Sequence, residues 1–164
     1  MTATVTAIWR HPIKSHGREA LEAVTVTPGN TMPGDRVWAV AHETAKAGNT
    51  EWAPCANFSR GAKAPALMAI DARYDVDAGT VTLTHPERPE ITLNPDTEAD
   101  RLIDWSRPLL PTDRAASSRI VRVPGRGMTD TDFPSISIGN MATHRAISQK
   151  LGRDLSPKRW RINL

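Results

Sequence analysis

Turn-forming residues interrupt this sequence so often that long helices cannot occupy most of it. The chain of 164 residues contains 13 prolines and 10 glycines, which end helices and mark turns. Short runs between them alternate apolar and polar residues, as at 4–9 and 80–84, and a period of two is typical of half-buried strands. The pattern predicts many short strands and argues against a helical bundle.

We predict a β-rich unit over the first two-thirds of the chain, followed by one helix. The helix begins near Asp96 and ends at Pro108, because proline cannot continue a helix. Five or six short strands with glycine and proline turns are typical of a small barrel or sandwich. The predicted strands are residues 4–9, 23–27, 35–41, 66–75, 80–84 and 90–94.

The composition of residues 109–118 predicts a linker. It separates an N-terminal domain at 1–108 from an incomplete second domain at 119–164. In the second part we predict strands at 119–123, 135–138 and 159–164, and a helix that Asn140 caps and whose apolar face is Met141, Ile147 and Leu151.

Charge is distributed unevenly, although the net charge of the chain is only +3. From residue 114 onward, ten lysines and arginines stand against three acidic residues, a net charge of +7, whereas the first 113 residues carry −4. A basic half predicts contact with an anion: a phosphate, a nucleotide or a nucleic acid. The alternative is a solvated cationic face that binds nothing.

Cysteine content and hydropathy predict the compartment. The single cysteine, Cys55, excludes an intrachain disulfide framework and fits a reducing environment. The first residues lack the charged and apolar regions of a secretory signal, and no run approaches the ~20 apolar residues of a membrane helix. We therefore expect a cytoplasmic protein that does not associate with membranes.

The loop HPIKSHG, residues 11–17, is the first candidate for a binding site. Lys14 and Ser15 place a cation beside a hydroxyl, and Gly17 lets the backbone turn. Such a turn can seat a phosphate, and the alternative is a solvated lysine and a turn serine. Arg36 begins a strand after a turn. Its guanidinium can likewise form a bidentate contact with an anion, or it can pair with a neighbouring carboxylate.

Two stretches near the end, GNMATHR and KRWRIN, are the other candidates. Asn140 and Thr143 lie at a predicted helix N-terminus, where free backbone N–H groups favour an anion, although helix capping alone also explains Asn140. In a strand, Arg159 and Arg161 would both face one side.

Sequence spacing indicates no metal site and no catalytic residue. The five histidines form no HxH or HExxH pattern, and Cys55 has no CxxC partner. His11 and His16 share one polar loop, and a site between them is the alternative. There is no GxSxG elbow and no Walker or Rossmann glycine pattern.

Four motifs in order, PxKS, GDRxW, N-x-A-T and RWRxN, resemble those of one family. Residues 5–40 are similar to the N-terminal β-barrel domain that precedes MOSC domains. Residues 131–164 resemble the first third or so of the MOSC domain itself, the molybdenum cofactor sulfurase C-terminal domain. The resemblance implies a mainly β fold with a few helices (α+β), in which a MOSC-type β-barrel N-terminal domain precedes the first part of a MOSC β-barrel domain.

The resemblance also implies a cofactor and an activity. The family binds the molybdopterin form of the molybdenum cofactor, and pyridoxal phosphate binding is associated with it. Relatives reduce N-hydroxylated compounds or transfer sulfur, which implies a redox partner protein. Carried over by motif, the cofactor-binding residues are Lys14, Ser15, Arg36, Asn140, Thr143, Arg161 and Asn163.

The sequence departs from the family at the metal ligand. The family's molybdenum-ligating cysteine lies well beyond the RxRxN motif, and this sequence ends before that point. Cys55 matches no family ligand, and it is either a substitute ligand or an incidental thiol. We interpret the chain as a truncated form of a longer protein, whose last strand leaves an unpaired edge that favours self-association.

Three functions follow as alternatives. The first is a molybdenum-cofactor oxidoreductase or sulfur-transfer protein in its full-length form. The second is a non-catalytic module that binds a pterin phosphate or another anion. Nucleic-acid binding through the basic segment is disfavoured, because single-strand binders interleave several aromatic residues with their cations and here Trp160 is nearly alone.

Overall fold

The computed structural model describes residues 2–164 and is mostly β-sheet with two α-helices. No helix in that range is both long and apolar enough to span a membrane. The elements are β1 Ile8–Arg10, β2 Ile13–Lys14, β3 Glu19–Leu21, β4 Trp38–His42, β5 Asp71–Asp75, β6 Thr80–His85, β7 Arg88–Leu93, α1 Ala99–Ser106, β8 Ser117–Val121 and α2 Met141–Lys150.

The strands of residues 2–164 form three small sheets. In the first, β1 pairs antiparallel with β3. In the second, β4 lies between β2, which is parallel to it, and β8, which is antiparallel. In the third, β5, β6 and β7 form an antiparallel meander. The predicted mainly β fold with a few helices is confirmed.

The central strand β4 is covered on both faces. Its residues from Trp38 to Ala41 are at most 1% exposed, which is why they are all apolar rather than alternating with polar ones. The face with Trp38 and Val40 contacts the apolar side chains of the meander and α1. The face with Ala39 and Ala41 contacts a second cluster that includes Val121 of β8.

Strand β8 brings residues that follow the predicted linker onto the N-terminal unit. Val121 pairs with Ala39 in the sheet, and the Glu43 backbone N–H donates to the Ala116 carbonyl at 2.9 Å. The domain limits 1–108, 109–118 and 119–164 stay a prediction.

Some of the predicted strands are wrong, in whole or in part. Residues 23–27 are mostly exposed, and in the described part of the chain no segment pairs with them, so alternation alone does not produce a strand. The first half of 66–75 is a 3-10 helix, Pro65–Ala69, which begins with the proline. Residues 135–138 form no regular strand.

Both predicted helices are confirmed, and Asn140 caps α2 as expected. Its Oδ1 accepts hydrogen bonds from the backbone N–H groups of Ala142 and Thr143, at 2.8 and 3.2 Å. The predicted apolar face of α2 is not buried within residues 2–164, because Met141 is 39% and Leu151 53% exposed.

The predicted strand at 159–164 is wrong. Pro157–Trp160 is a 3-10 helix, and Arg161 has a left-handed φ of 51°. Ser156 caps this helix through its Oγ, and proline at the first position favours the helical turn. These two signals outweigh the alternation, so Arg159 and Arg161 do not share one side of a strand.

The last residues are nevertheless held by backbone hydrogen bonds. The Trp9 N–H donates to the Asn163 carbonyl, and the Gly139 N–H donates to the Leu164 carbonyl, both at 2.8 Å. This segment therefore lies between β1 and residues 137–139 instead of leaving a free strand edge. Self-association through it stays a prediction.

Candidate functional site, a cationic cavity

A tight turn after β2 places Lys14 and Ser15 on the wall of a cavity. Ser15 and Gly17 both have positive φ, 66° and 91°, which reverses the chain within three residues. A Cβ on Gly17 would lie 2.8 Å from the Cβ of Ala72, so only glycine fits there. The side chains of Lys14 and Ser15 are more than nine-tenths buried.

Arg36 connects the turn before β4 to the end of the chain. Its guanidinium forms an ion pair with Asp35, and its Nη2 donates to the Arg161 carbonyl at 3.0 Å. Its Nη1 also donates to Asn163 Oδ1 at 3.3 Å. The left-handed φ of 51° at Arg36 aims this side chain at the C-terminal segment rather than along β4.

Arg161 directs a second guanidinium into the same cavity. Its Nη2 donates to the Gly17 carbonyl at 3.3 Å, whereas its Nη1 is buried without a hydrogen-bond partner among residues 2–164. Burial, together with the neighbouring Arg36, lowers the pKa of Arg161 to about 9. A buried guanidinium with a spare donor is a strong site for an anion.

The cavity has a volume of about 780 Å³ and is strongly cationic. Among the described residues that line the cavity, Asp130 is the acidic one. Among residues 2–164, Arg60, Arg159 and Arg161 have no carboxylate within 4 Å. The positively charged lining residues are Lys14, Arg18, Arg36, Arg60, Lys158, Arg159 and Arg161.

Comparison with known proteins identifies the family. The family model of the MOSC N-terminal beta barrel domain matches residues 2–117, most of the chain. The chain belongs to this family. No curated protein and no solved structure matches the sequence. The resemblance of residues 131–164 to the opening of a MOSC domain lies outside the match and stays a prediction.

The structure of this MOSC N-terminal domain protein brings four of the seven predicted cofactor-binding residues together. Lys14, Ser15, Arg36 and Arg161 line the cavity. The other three lie outside it. Asn140 and Thr143 are exposed at the start of α2, where they form the cap.

Asn163 is buried and acts within the protein framework. Its Oδ1 accepts from the Ser137 hydroxyl at 2.8 Å, and its Nδ2 donates to the Trp9 carbonyl at 3.0 Å. Together with its bond to Arg36, these contacts fix the C-terminal segment against β1. Asn163 thereby positions the carbonyl of Arg161 and the guanidinium of Arg36 at the cavity.

Asp130 forms an ion pair with Lys14 on the cavity wall. The Lys14 Nζ donates to Asp130 Oδ1 at 2.5 Å and to the Met128 carbonyl at 2.8 Å. Partial burial acts to raise the pKa of Asp130, but the hydrogen bond and charge of Lys14 lower it to about 2. An incoming phosphate and the Asp130 carboxylate would therefore compete for the same ammonium group.

Cys55 lies on the same wall, which its isolated position in the sequence does not indicate. Its thiol donates to Asp130 Oδ1 with an S–O distance of 3.1 Å. Partial burial and this hydrogen bond raise the pKa of the Cys55 thiol, so it is not an activated thiolate. Residues 2–164 contain no group of three or more histidine, cysteine or acidic side chains arranged to hold a metal ion.

We expect Asp130→Asn to tighten phosphate binding. Removal of the carboxylate frees Lys14 and should lower the Kd for inorganic phosphate about fivefold, the effect of one net hydrogen bond. Isothermal titration calorimetry at fixed ionic strength measures it. Asp132→Asn is the matched control, since Asp132 does not line the cavity. An unchanged Kd in Asp130→Asn would show that Asp130 does not compete.

The candidate stretch KRWRIN includes Lys158, whereas sequence patterns did not indicate Arg18, Arg60 and Asp130 as site residues. Arg18 follows the Gly17 turn and reaches the Met68 carbonyl at 2.6 Å, a contact with a residue 50 positions away. The excess of arginine and lysine in the second half of the sequence was the feature that indicated a cationic site. Residues 158–161 of that half do line the cavity.

Proposed function

We propose that the cavity binds the phosphate and pterin of the molybdopterin form of the molybdenum cofactor. The observation that carries this proposal is the buried Arg161 Nη1, which has no partner in residues 2–164 and lies beside a second guanidinium, Arg36. Asp35 pairs with Arg36, but among residues 2–164 no carboxylate lies within 4 Å of the partly buried Arg161, so an anion that joins the two guanidiniums would be favourable. The family membership supports the choice of cofactor.

The residues present fit the phosphate and pterin part of that cofactor. Lys14 and Arg36 supply charge-assisted donors, and Ser15 supplies a hydroxyl at the same turn. A volume of about 780 Å³ lies in the range of cavities that enclose a molecule of cofactor size. The walls supply hydrogen bonds and a low-dielectric setting that fixes the orientation of a bound anion.

The molybdenum of the cofactor would need a thiolate ligand. Among the described residues that line the cavity, Cys55 has the one thiol, and it donates a hydrogen bond to Asp130. When the cofactor is bound, its molybdenum supplies the redox chemistry. We propose that the protein reduces N-hydroxylated compounds with a redox partner protein, or transfers sulfur. The role of residues 2–164 in either activity is to bind and orient the phosphate and pterin.

A non-catalytic module that binds a pterin phosphate or another anion is the second candidate. The cationic lining of the cavity favours it, because such a lining binds an anion without any catalytic group. Pyridoxal phosphate is a second phosphate ester of suitable charge for such a site.

We expect Lys14→Ala to lose the cofactor. The protein is purified from cells that make molybdopterin, and the bound pterin is oxidised to its fluorescent form and quantified per mole of protein. The variant should retain less than about a tenth of the wild-type pterin, since a charge-assisted hydrogen bond contributes about 1.5–3 kcal/mol. Lys150→Ala, at the exposed end of α2, should retain all of it.

If wild-type protein carries no pterin but binds pyridoxal phosphate through Lys14, the second candidate replaces the first. If it retains neither ligand and inorganic phosphate does not bind, the cavity is not a phosphate site.

A further inference from the structure

One aromatic side chain, that of Trp160, is found among the described residues that line the cavity. Trp160 is the last residue of the 3-10 helix Pro157–Trp160, which the Oγ of Ser156 caps. It is 41% exposed, so the other residues of the described chain leave part of the indole uncovered. A large aromatic surface that is open at a cavity wall is available to a ligand.

The indole of Trp160 is held in place by its edge. Its Nε1–H donates to His144 Nδ1 at 3.0 Å, and the two rings meet at 81° with their centroids 6.3 Å apart. Because the Nε1–H bond lies in the plane of the indole, this hydrogen bond covers neither face of the ring. A ring that is already fixed loses little conformational entropy when a ligand stacks on it.

One peptide bond joins Trp160 to the proposed phosphate site. The carbonyl of the next residue, Arg161, accepts from Arg36 Nη2 at 3.0 Å, and the Nη2 of Arg161 donates to the Gly17 carbonyl at 3.3 Å. These bonds hold Trp160 next to the turn at residues 14–17. A phosphate group fills only a small part of a cavity of about 780 Å³, so the remainder of a larger ligand lies along the other walls.

We infer that the planar ring system of the ligand stacks on the indole of Trp160, while its single phosphate contacts Lys14, Ser15 and Arg36. This inference rests on the proposed function and assigns the position of the pterin within that site. An aromatic face binds flat heterocycles through their π-faces and needs no particular hydrogen-bonding pattern. Trp160 thereby selects phosphate esters that carry a planar ring over aliphatic phosphate esters.

Calorimetric titrations with neopterin monophosphate, a pterin that carries one phosphate, and with inorganic phosphate test the inference. Trp160→Leu should weaken the binding of neopterin monophosphate about tenfold, the effect of losing one stacked base, and should leave that of inorganic phosphate within about twofold. Trp160→Phe keeps an aromatic face and should stay within about threefold of the wild type for both ligands. At saturation, pterin fluorescence should be quenched more strongly in the wild type than in Trp160→Leu, because the stacked indole contacts the pterin ring directly.

Phe133→Leu is the matched control, since it removes an exposed aromatic ring outside the cavity and should change neither affinity. Equal losses of both affinities in Trp160→Leu would overturn the inference, because the substitution would then act through the phosphate site. An unchanged affinity for neopterin monophosphate in Trp160→Leu would also overturn it and leave the proposed phosphate site intact. If the wild-type protein binds neither ligand, the proposed function fails and this inference fails with it.

Discussion

Acidification from pH 6.5 to pH 4 should remove a large part of the folding stability of this protein. His11 and His16 are both completely buried, and burial lowers the pKa of each to about 4 from 6.5. For His11 the Asp35 carboxylate, whose Oδ1 lies 3.4 Å from the ring Nδ1, opposes this effect without reversing it. Both imidazoles are therefore neutral in the folded protein at pH values where they are protonated in the unfolded chain.

The sign of the effect follows from proton binding. Between pH 6.5 and about 4 the unfolded chain binds more protons than the folded protein, so the free energy of unfolding falls as the pH falls. Each histidine should contribute about 3 kcal/mol over this interval. Burial acts to raise the pKa of Asp35, but its hydrogen bond with His11 and the charge of Arg36 lower it. Protonation of Asp35 at lower pH should therefore reduce the free energy of unfolding further.

Denaturant titrations followed by tryptophan fluorescence at a series of pH values measure this dependence. His16→Gln removes one titrating group and can still donate to the Lys14 carbonyl, which His16 contacts at 3.0 Å. Its slope of unfolding free energy against pH near pH 5 should be about half that of the wild type. Leu83→Ala, a destabilising core change without a titrating group, should keep the full slope. If His16→Gln kept the full wild-type slope of unfolding free energy against pH, His16 would not be a source of the pH dependence.

Arg161→Gln should weaken the binding of phosphate ligands by between about tenfold and a hundredfold. The substitution removes the guanidinium whose Nη1 has no partner in residues 2–164, and a hydrogen bond to a charged group contributes about 1.5–3 kcal/mol. Glutamine can keep the bond to the Gly17 carbonyl, and the Arg161 carbonyl that accepts from Arg36 belongs to the backbone.

The same variant should be as stable as the wild type, or more stable. Arg36 loses a like-charged buried neighbour, and the uncompensated desolvation of that neighbour disappears. Reduced affinity together with undiminished stability separates a binding role from a purely structural one. Arg145→Gln, an exposed change on α2, is the control for charge. Wild-type affinity in Arg161→Gln would show that the anion does not contact this guanidinium.

Local signals in the sequence predicted the parts of the site that depend on one turn. Lys14 and Ser15 are adjacent, and the glycine at 17 permits the turn that places both on the cavity wall. Asn140 caps α2 as predicted, since capping depends only on the next three residues. These features need no knowledge of the remainder of the fold.

The residues that the sequence did not predict depend on contacts between distant segments. Arg18 reaches Met68, Lys14 reaches Asp130, and Cys55 also reaches Asp130, and no periodic pattern encodes these pairs. The strands predicted at 23–27 and 159–164 failed for a related reason. Alternation specifies a strand only where another strand accepts its hydrogen bonds, and at the second site the serine–proline helix start has the stronger local preference.

The contact between Arg161 and Gly17 also has a consequence for the order of folding. It joins residues 144 positions apart, so the inner end of the cavity cannot close until the residues between them have been synthesised and have found their places. During synthesis the turn at residues 14–17 leaves the ribosome long before Arg161 has been added to the chain. The cavity is therefore among the last parts of this unit to be completed, because it needs both residues 14–17 and residues 158–161 in place.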